Sequence, residues 1–207
     1  MAVMHRVRSV LAFPASYRFA IGVFGNQRNR QWFVDEVVRP SERDKLVDIG
    51  CGPAEIFRRL PGVEYIGCDI NESYLAAARK EFGDRAVFLA GRCEDWQRDV
   101  RTHDADVVLA NGVLHHVDDD ELMRILEFAR AVLKPEGRFI FYEPCYLLWQ
   151  SRLSAFFMSH DRGQHIRSER AWKDLVGRLF ARMTTNVVTN VNRLGYTCIV
   201  GVCRKEA

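Results

Sequence analysis

Val47-Asp48-Ile49-Gly50-Cys51-Gly52-Pro53-Ala54 decides the fold. The glycines stand directly after a short apolar run, Lys45–Ile49, so the segment reads as a strand ending in a tight turn. Glycine lets the backbone turn sharply there and lets a ligand approach closely. In a doubly wound sheet, nucleotides bind in the crevice outside the carboxyl ends of the strands. A second apolar run at 65–70 (YIGCDI) carries Asp69, about twenty residues beyond the turn. A carboxylate at that spacing suits the two hydroxyls of a ribose. On this motif alone, a structural turn in some other α/β protein stays open.

Outward from the turn, strands and helices alternate. Residues 54–60 read as a short helix, and 72–82, rich in Ala, Leu and Lys, as a longer one. A third strand is expected at 86–90. A fourth, 105–111 (ADVVLAN), is almost uniformly apolar, as a strand buried on both faces should be. Residues 120–133 place Leu122, Ile125, Leu126, Ala129 and Leu133 on one helical side, and Lys134-Pro135-Glu136-Gly137 stops that helix. A fifth strand follows at 138–142. Residues 145–165 are aromatic-rich and irregular, 169–180 read as a helix, and strands at 183–191 and 196–202 flank a hairpin signal, Asn192-Arg193-Leu194-Gly195. Upstream, 29–38 has helical spacing and ends before Pro40. Such alternation implies an α/β fold. The expected sheet is mostly parallel and seven-stranded, with an antiparallel C-terminal edge hairpin and helices on both faces.

Composition narrows the classes. A chain of 207 residues suits one such domain. A net charge of +3 is too mild to argue for nucleic-acid binding, which shows a clustered basic face. The cysteines at 51, 68, 93, 145, 198 and 203 form no CxxC pair and no zinc-finger spacing. They are expected to be small buried hydrophobes in a reducing, cytoplasmic compartment. Residues 1–24 are apolar with His5, Arg6 and Arg8 near the start, but Pro14 and Arg18 interrupt the run and no clear cleavage site follows. No stretch reaches the roughly 18 uncharged apolar residues of a membrane span, so no stable membrane insertion is expected.

The ligand is narrowed by charge. A dinucleotide loop wants a third small residue where this chain has Glu55, and a carboxylate there repels a pyrophosphate. With Asp48 it makes two acids at the turn, which suits a cationic ligand. The whole succession resembles the class I S-adenosylmethionine (SAM)-dependent methyltransferases, particularly their small stand-alone bacterial members of types 11 and 12. VDIGCG matches the first motif of that family, YIGCDI the second, GRCEDW the adenine-contacting turn, ADVVLANGVLHHV the fourth strand and its loop, and LKPEGRFIFYEP the fifth strand. The resemblance covers about residues 44–145.

It implies a Rossmann-like methyltransferase fold, SAM as cofactor and S-adenosylhomocysteine as product. Gly50, Cys51 and Gly52 would line the methionine part. Asp48 would orient the ammonium end, Asp69 would hold the ribose, Ile70 would pack on adenine, and the Asn111 carbonyl would face the ammonium. The family often has glycine at the position of Ala54 and aspartate at that of Arg92, so Cys93, Glu94 or Asp95 would supply the adenine contact instead.

Beyond the fourth strand, His115 and His116 are candidate bases or substrate contacts, with loop ordering as the plainer role. Asp118-Asp119-Asp120 reads as an acidic helix N-terminus, and no metal is expected. Aromatic residues near both ends of the chain, Tyr17 and Tyr146 among them, suggest a lid over an apolar or planar acceptor, with simple packing as the alternative. Arg162 or Arg167 could pair with an anionic substrate group, with a surface ion pair as the equal alternative. The division expected is a lid segment at 1–40, a cofactor core at 41–145, a substrate-side insert at 146–181 and a hairpin at 182–207. The function expected is in-line methyl transfer to a small molecule such as a specialised metabolite, lipid, quinone or sugar, by a monomer or homodimer. A SAM-binding protein without transfer, and an NAD-dependent oxidoreductase, are the alternatives.

Overall fold

A computed structural model describes residues 27–159, 163–189, 191 and 195–205. Its elements in chain order are helix α1 (Gln27–Trp32), strands β1 (Lys45–Ile49) and β2 (Glu64–Asp69), helix α2 (Glu72–Phe82), strand β3 (Ala86–Ala90), helix α3 (Cys93–Gln97), strand β4 (Ala105–Asn111), helix α4 (Asp119–Val132), strand β5 (Leu133–Tyr146), helix α5 (Arg152–Ser159), strand β6 (Arg167–Ser168), helix α6 (Glu169–Gly177), and strands β7 (Arg182–Val188) and β8 (Cys198–Arg204). The sheet runs β3-β2-β1-β4-β5-β8-β7, with the short β6 pairing beside β5. β1 to β5 are parallel, and β8 is antiparallel to both β5 and β7.

The sheet is buried on both faces, as the unbroken apolar strands require. One face carries Leu46, Tyr65, Phe88, Val107, Leu109 and Ile140 against α2 and the π-helical turn Phe33–Val38 that continues α1. The other carries Val47, Ile49, Ile66, Val108, Phe139 and Phe141 against α4 and α6. Helix α2 starts where Asn71 accepts from the Ser73 amide at 3.0 Å. Helix α4 starts where Asp118 accepts from Glu121 N at 2.9 Å, so the acidic run does serve as a cap.

Four expectations need correction. Residues 54–60 form no helix beyond a single 3₁₀ turn, Phe57–Arg59. The backbone there is spent on the bend itself: Gly50, Gly52 and Ala54 all have positive φ, and Pro61 disfavours helix in the residue before it. Ala54 is thus no trivial exchange for glycine, because a left-handed alanine costs about 1 kcal/mol. The region beyond β5 is not wholly irregular, since it contains α5. The last two strands sit at 182–188 and 198–204, and the expected turn residues Asn192, Arg193 and Leu194 lie outside the described residues. Finally, the Lys134-Pro135-Glu136-Gly137 stop ends α4 as expected but is absorbed into β5. There Glu136 takes φ 63 and the register with β4 shifts between Ala105 and Val107.

Candidate functional site

The bend after β1 is folded back on β2. The Gly50 and Cys51 amides both donate to the Cys68 carbonyl, at 2.7 and 3.0 Å. A methyl group on Gly50 would collide with Val113, so glycine is sterically required there. One on Gly52 would meet nothing within 4 Å, so this part of the bend faces open space. Asp69 ends β2 and ties the bend to the next helix: Gly52 N donates to Oδ2 at 2.8 Å and Asn71 N to Oδ1 at 2.7 Å. Next to it Ile70 stands 70% exposed, a large apolar side chain presented at the mouth of the crevice.

Asp48 lies beneath the bend and is only 2% exposed. It faces the β2 position of Gly67, its register partner, where a β-carbon would come within 2.8 Å of Cys51 Sγ. The Tyr65 hydroxyl, from the same strand, donates to Asp48 Oδ2. Phe57 stacks on the Tyr65 ring at 4.5 Å. Burial pushes the Asp48 carboxyl up to about 7, with the Tyr65 hydrogen bond opposing and the charge of Asp69 adding. Burial also raises Asp69, against the backbone amides of Asn71, Gly52 and Ile70. Among the described residues no cation pairs with either acid. Two desolvated carboxyls without a counter-ion, beside an open glycine bend, are an environment for a positively charged ligand.

At the β3 end, Asp95 turns back to cap its own helix, accepting from Arg92 N at 3.0 Å. Cys93 is buried. Glu94 is exposed and lies 3.7 Å from Arg124, while Arg92 reaches Glu121 at 3.4 Å. Of the three residues expected to reach adenine, Glu94 and Asp95 are exposed, and the Asp95 carboxylate is partly spent on its own helix start. Asn111 closes β4, is exposed, and sits at the same end of the sheet.

A third buried carboxyl was missed by sequence reasoning. Glu143, fully buried on β5, accepts from Val113 N at 2.9 Å, Leu114 N at 2.8 Å and His115 N at 3.3 Å, and lies 2.7 Å from His115 Nδ1. An acid inside the apolar run FIFYEP was the available signal, since a buried charge must be satisfied. His115 is buried, and Gly163 packs so tightly on its imidazole that no β-carbon would fit. His116 is exposed and stacks against it, ring centroids 4.1 Å apart. Arg167 holds the far side of this loop. Its guanidinium donates to Asp119 Oδ1 at 2.9 and 2.7 Å, and to the carbonyls of Leu114, His165 and Val117 at 3.1, 3.1 and 2.9 Å, which engages all five of its N–H groups. It also lies 4.9 Å over the Trp172 ring. Arg167 is therefore a buried loop clamp and not a surface ion pair. Tyr146 is half-buried at the end of β5. Tyr17 and Arg162 lie outside the described residues.

Residues 47–141 match the family model described as "Methyltransferase domain". Over these residues the chain carries a methyltransferase domain like those of the class I SAM-dependent methyltransferases. The trans-aconitate 2-methyltransferase of Mycolicibacterium gilvum (strain PYR-GCK) is 33% identical to this chain over 109 residues, which are 49% of this chain and 40% of that protein. The chain spans less than half the length of the curated relatives it matches. In fold it is similar to the phospholethanolamine N-methyltransferase 2 of Haemonchus contortus, solved with phosphomonomethylethanolamine and S-adenosylhomocysteine. That match has TM-score 0.72 and 14% identity, and covers 94% of this chain and 57% of that one. A SAM-dependent methyltransferase of Methanosarcina mazei superposes with TM-score 0.68 and 21% identity, covering 83% of this chain and 97% of that one. The domain fits the family's cofactor, SAM, in its open glycine bend, its two buried acids with no cation beside them among the described residues, and its exposed Ile70.

Proposed function

We propose that this methyltransferase moves the methyl group of SAM to a small-molecule acceptor. The reading is carried by the Asp48 and Asp69 pair around the glycine bend, desolvated and without a cation among the described residues. Bound there, SAM supplies an electrophilic methyl group, and the protein is left with alignment. Gly50, Cys51 and Gly52 line the methionine part, and Asp48 and the Asn111 carbonyl favour its ammonium. Asp69 has lone pairs left beyond the bonds it accepts from the Gly52 and Asn71 amides, and these accept from the ribose hydroxyls. Ile70 covers one adenine face and Glu94 stands at the adenine edge.

His115 and His116 belong to the acceptor side. Glu143 fixes the His115 ring and puts its proton on Nδ1, which makes His115 the positioning residue. The exposed His116 is the histidine with room to reach an acceptor. Six free cysteines, five of them buried, support a reducing cytoplasmic setting.

Isothermal calorimetry with SAM and S-adenosylhomocysteine tests the pocket. Asp69→Ala is expected to weaken SAM by about 1–3 kcal/mol, the scale of hydrogen bonds to a charged group. Unchanged affinity in that variant would remove Asp69 from the site. Incubation with methyl-labelled SAM and fractionated extract, read by mass spectrometry, tests transfer. SAM binding with no labelled product from any fraction would leave a SAM-binding module.

A further inference from the structure

The turn after β5 has an unusual composition. Leu147 N donates to Gln150 Oε1 at 2.7 Å, and the Gln150 side chain reaches on to Ser154 Oγ at 3.4 Å, so the turn is pinned from beneath. Its two apex residues are Leu148, fully exposed, and Trp149, 70% exposed. Turn apices are normally polar. Four residues apart on the outer side of α5 stand Arg152, exposed, and Phe156, 56% exposed. The described residues of the two segments beside this tip carry charge of one sign. Residues 144–159 contain Arg152 and no acid, and residues 27–34 contain Arg28 and Arg30 and no acid.

The described parts of these two stretches meet at one rim. Asn29 in α1 donates to the Val191 carbonyl at 2.9 Å, and Ser154 in α5 donates to the Gly195 carbonyl at 2.7 Å, so both hang on the connection between β7 and β8. That connection lies at the carboxyl end of β5, because Cys198 pairs with Pro144, and this is also the end that carries the glycine bend.

The geometry points to peripheral docking of this rim on an anionic lipid surface, with Leu148 and Trp149 inserted among the acyl chains and the arginines facing the headgroups. An aliphatic residue beside an indole at a rigid apex suits the boundary between apolar chains and water. A nucleic acid would instead be met by cations at the apex. No described helix is long and apolar enough to cross a membrane, so the contact is superficial. Docked this way, the crevice opens toward the bilayer, and the acceptor class becomes an amphiphile drawn from it. That last step rests on the proposed methyl transfer, whereas the docking does not.

The test is co-sedimentation of the full chain with vesicles of phosphatidylcholine alone and of phosphatidylcholine with phosphatidylglycerol. A double variant, Leu148→Ser with Trp149→Ser, is compared. Both side chains are exposed, so its melting temperature and SAM titration should match the parent, which keeps this test separate from the cofactor reading. The parent is expected to pellet with the anionic vesicles, and the variant to partition roughly tenfold less or lower. A parent left in the supernatant, or a variant that pellets equally, overturns the proposal. So does binding of a single-stranded oligonucleotide without vesicle binding, or a dimer abolished by the double variant in light scattering when vesicles are ignored.

Discussion

Asp48 is the residue whose protonation matters most. Its folded-state value of about 7 lies above the ordinary 3.8, so the folded protein holds a proton that the unfolded chain has released. Its contribution to stability is whole below pH about 3.8 and is lost as pH rises to about 7. At about 1.4 kcal/mol per unit, the span is on the order of 4 kcal/mol. Asp48→Asn keeps an acceptor for Tyr65 and cannot ionise. Urea denaturation without SAM should show the variant more stable than the parent, with a larger gain at pH 8 than at pH 5. An equal gain at both values would place the titration elsewhere. Glu143→Gln removes an acceptor oxygen facing the amides of residues 113–115 and should cost about 1–3 kcal/mol in the same assay. Asp48 and Asp69 were legible in the sequence because acids break apolar strands next to glycines. Tyr65 was not, since a tyrosine in such a strand looks like core until its hydroxyl's partner is seen.

Among the elements, β1, β3, β4 and α2 were readable to the residue, because caps and turn residues bound each apolar run. The stretch 54–60 misled because its apolar spacing is helical while its first residue, Ala54, is the last of the three left-handed residues of the bend and Pro61 closes it at the other end. The loop at 112–118 owes its shape to groups far away in sequence, Glu143 on β5 and Arg167 on β6, and local patterns carry no trace of that. Arg167→Met should cost about 3 kcal/mol or more, the scale of a broken buried charge network. Arg167→Lys should recover less than half of this, since an ammonium cannot supply five planar donors. Thermal denaturation of the two variants checks the ordering, and a fully rescuing lysine would show that charge alone suffices.

Across the whole molecule, alternation of strands and helices gave the parallel sheet, and the family motifs gave the crevice at its carboxyl end. The proposed acceptor side was less legible: the loop after β4, the turn after β5 and α5 have short spacing signals and non-local contacts. The order of the sheet has its own consequence. β8 is the last strand in the sequence, yet it lies between β5 and β7. Until it arrives, β5 and β7 each present a bare ladder of amides and carbonyls, an invitation to pair with other chains. During synthesis the nascent domain must therefore wait, half-zipped, for residues 198–204 to clear the ribosome. A stop codon at position 198 should yield insoluble protein on expression, and soluble, cooperatively melting protein from that truncation would show that the gap can close without its keystone.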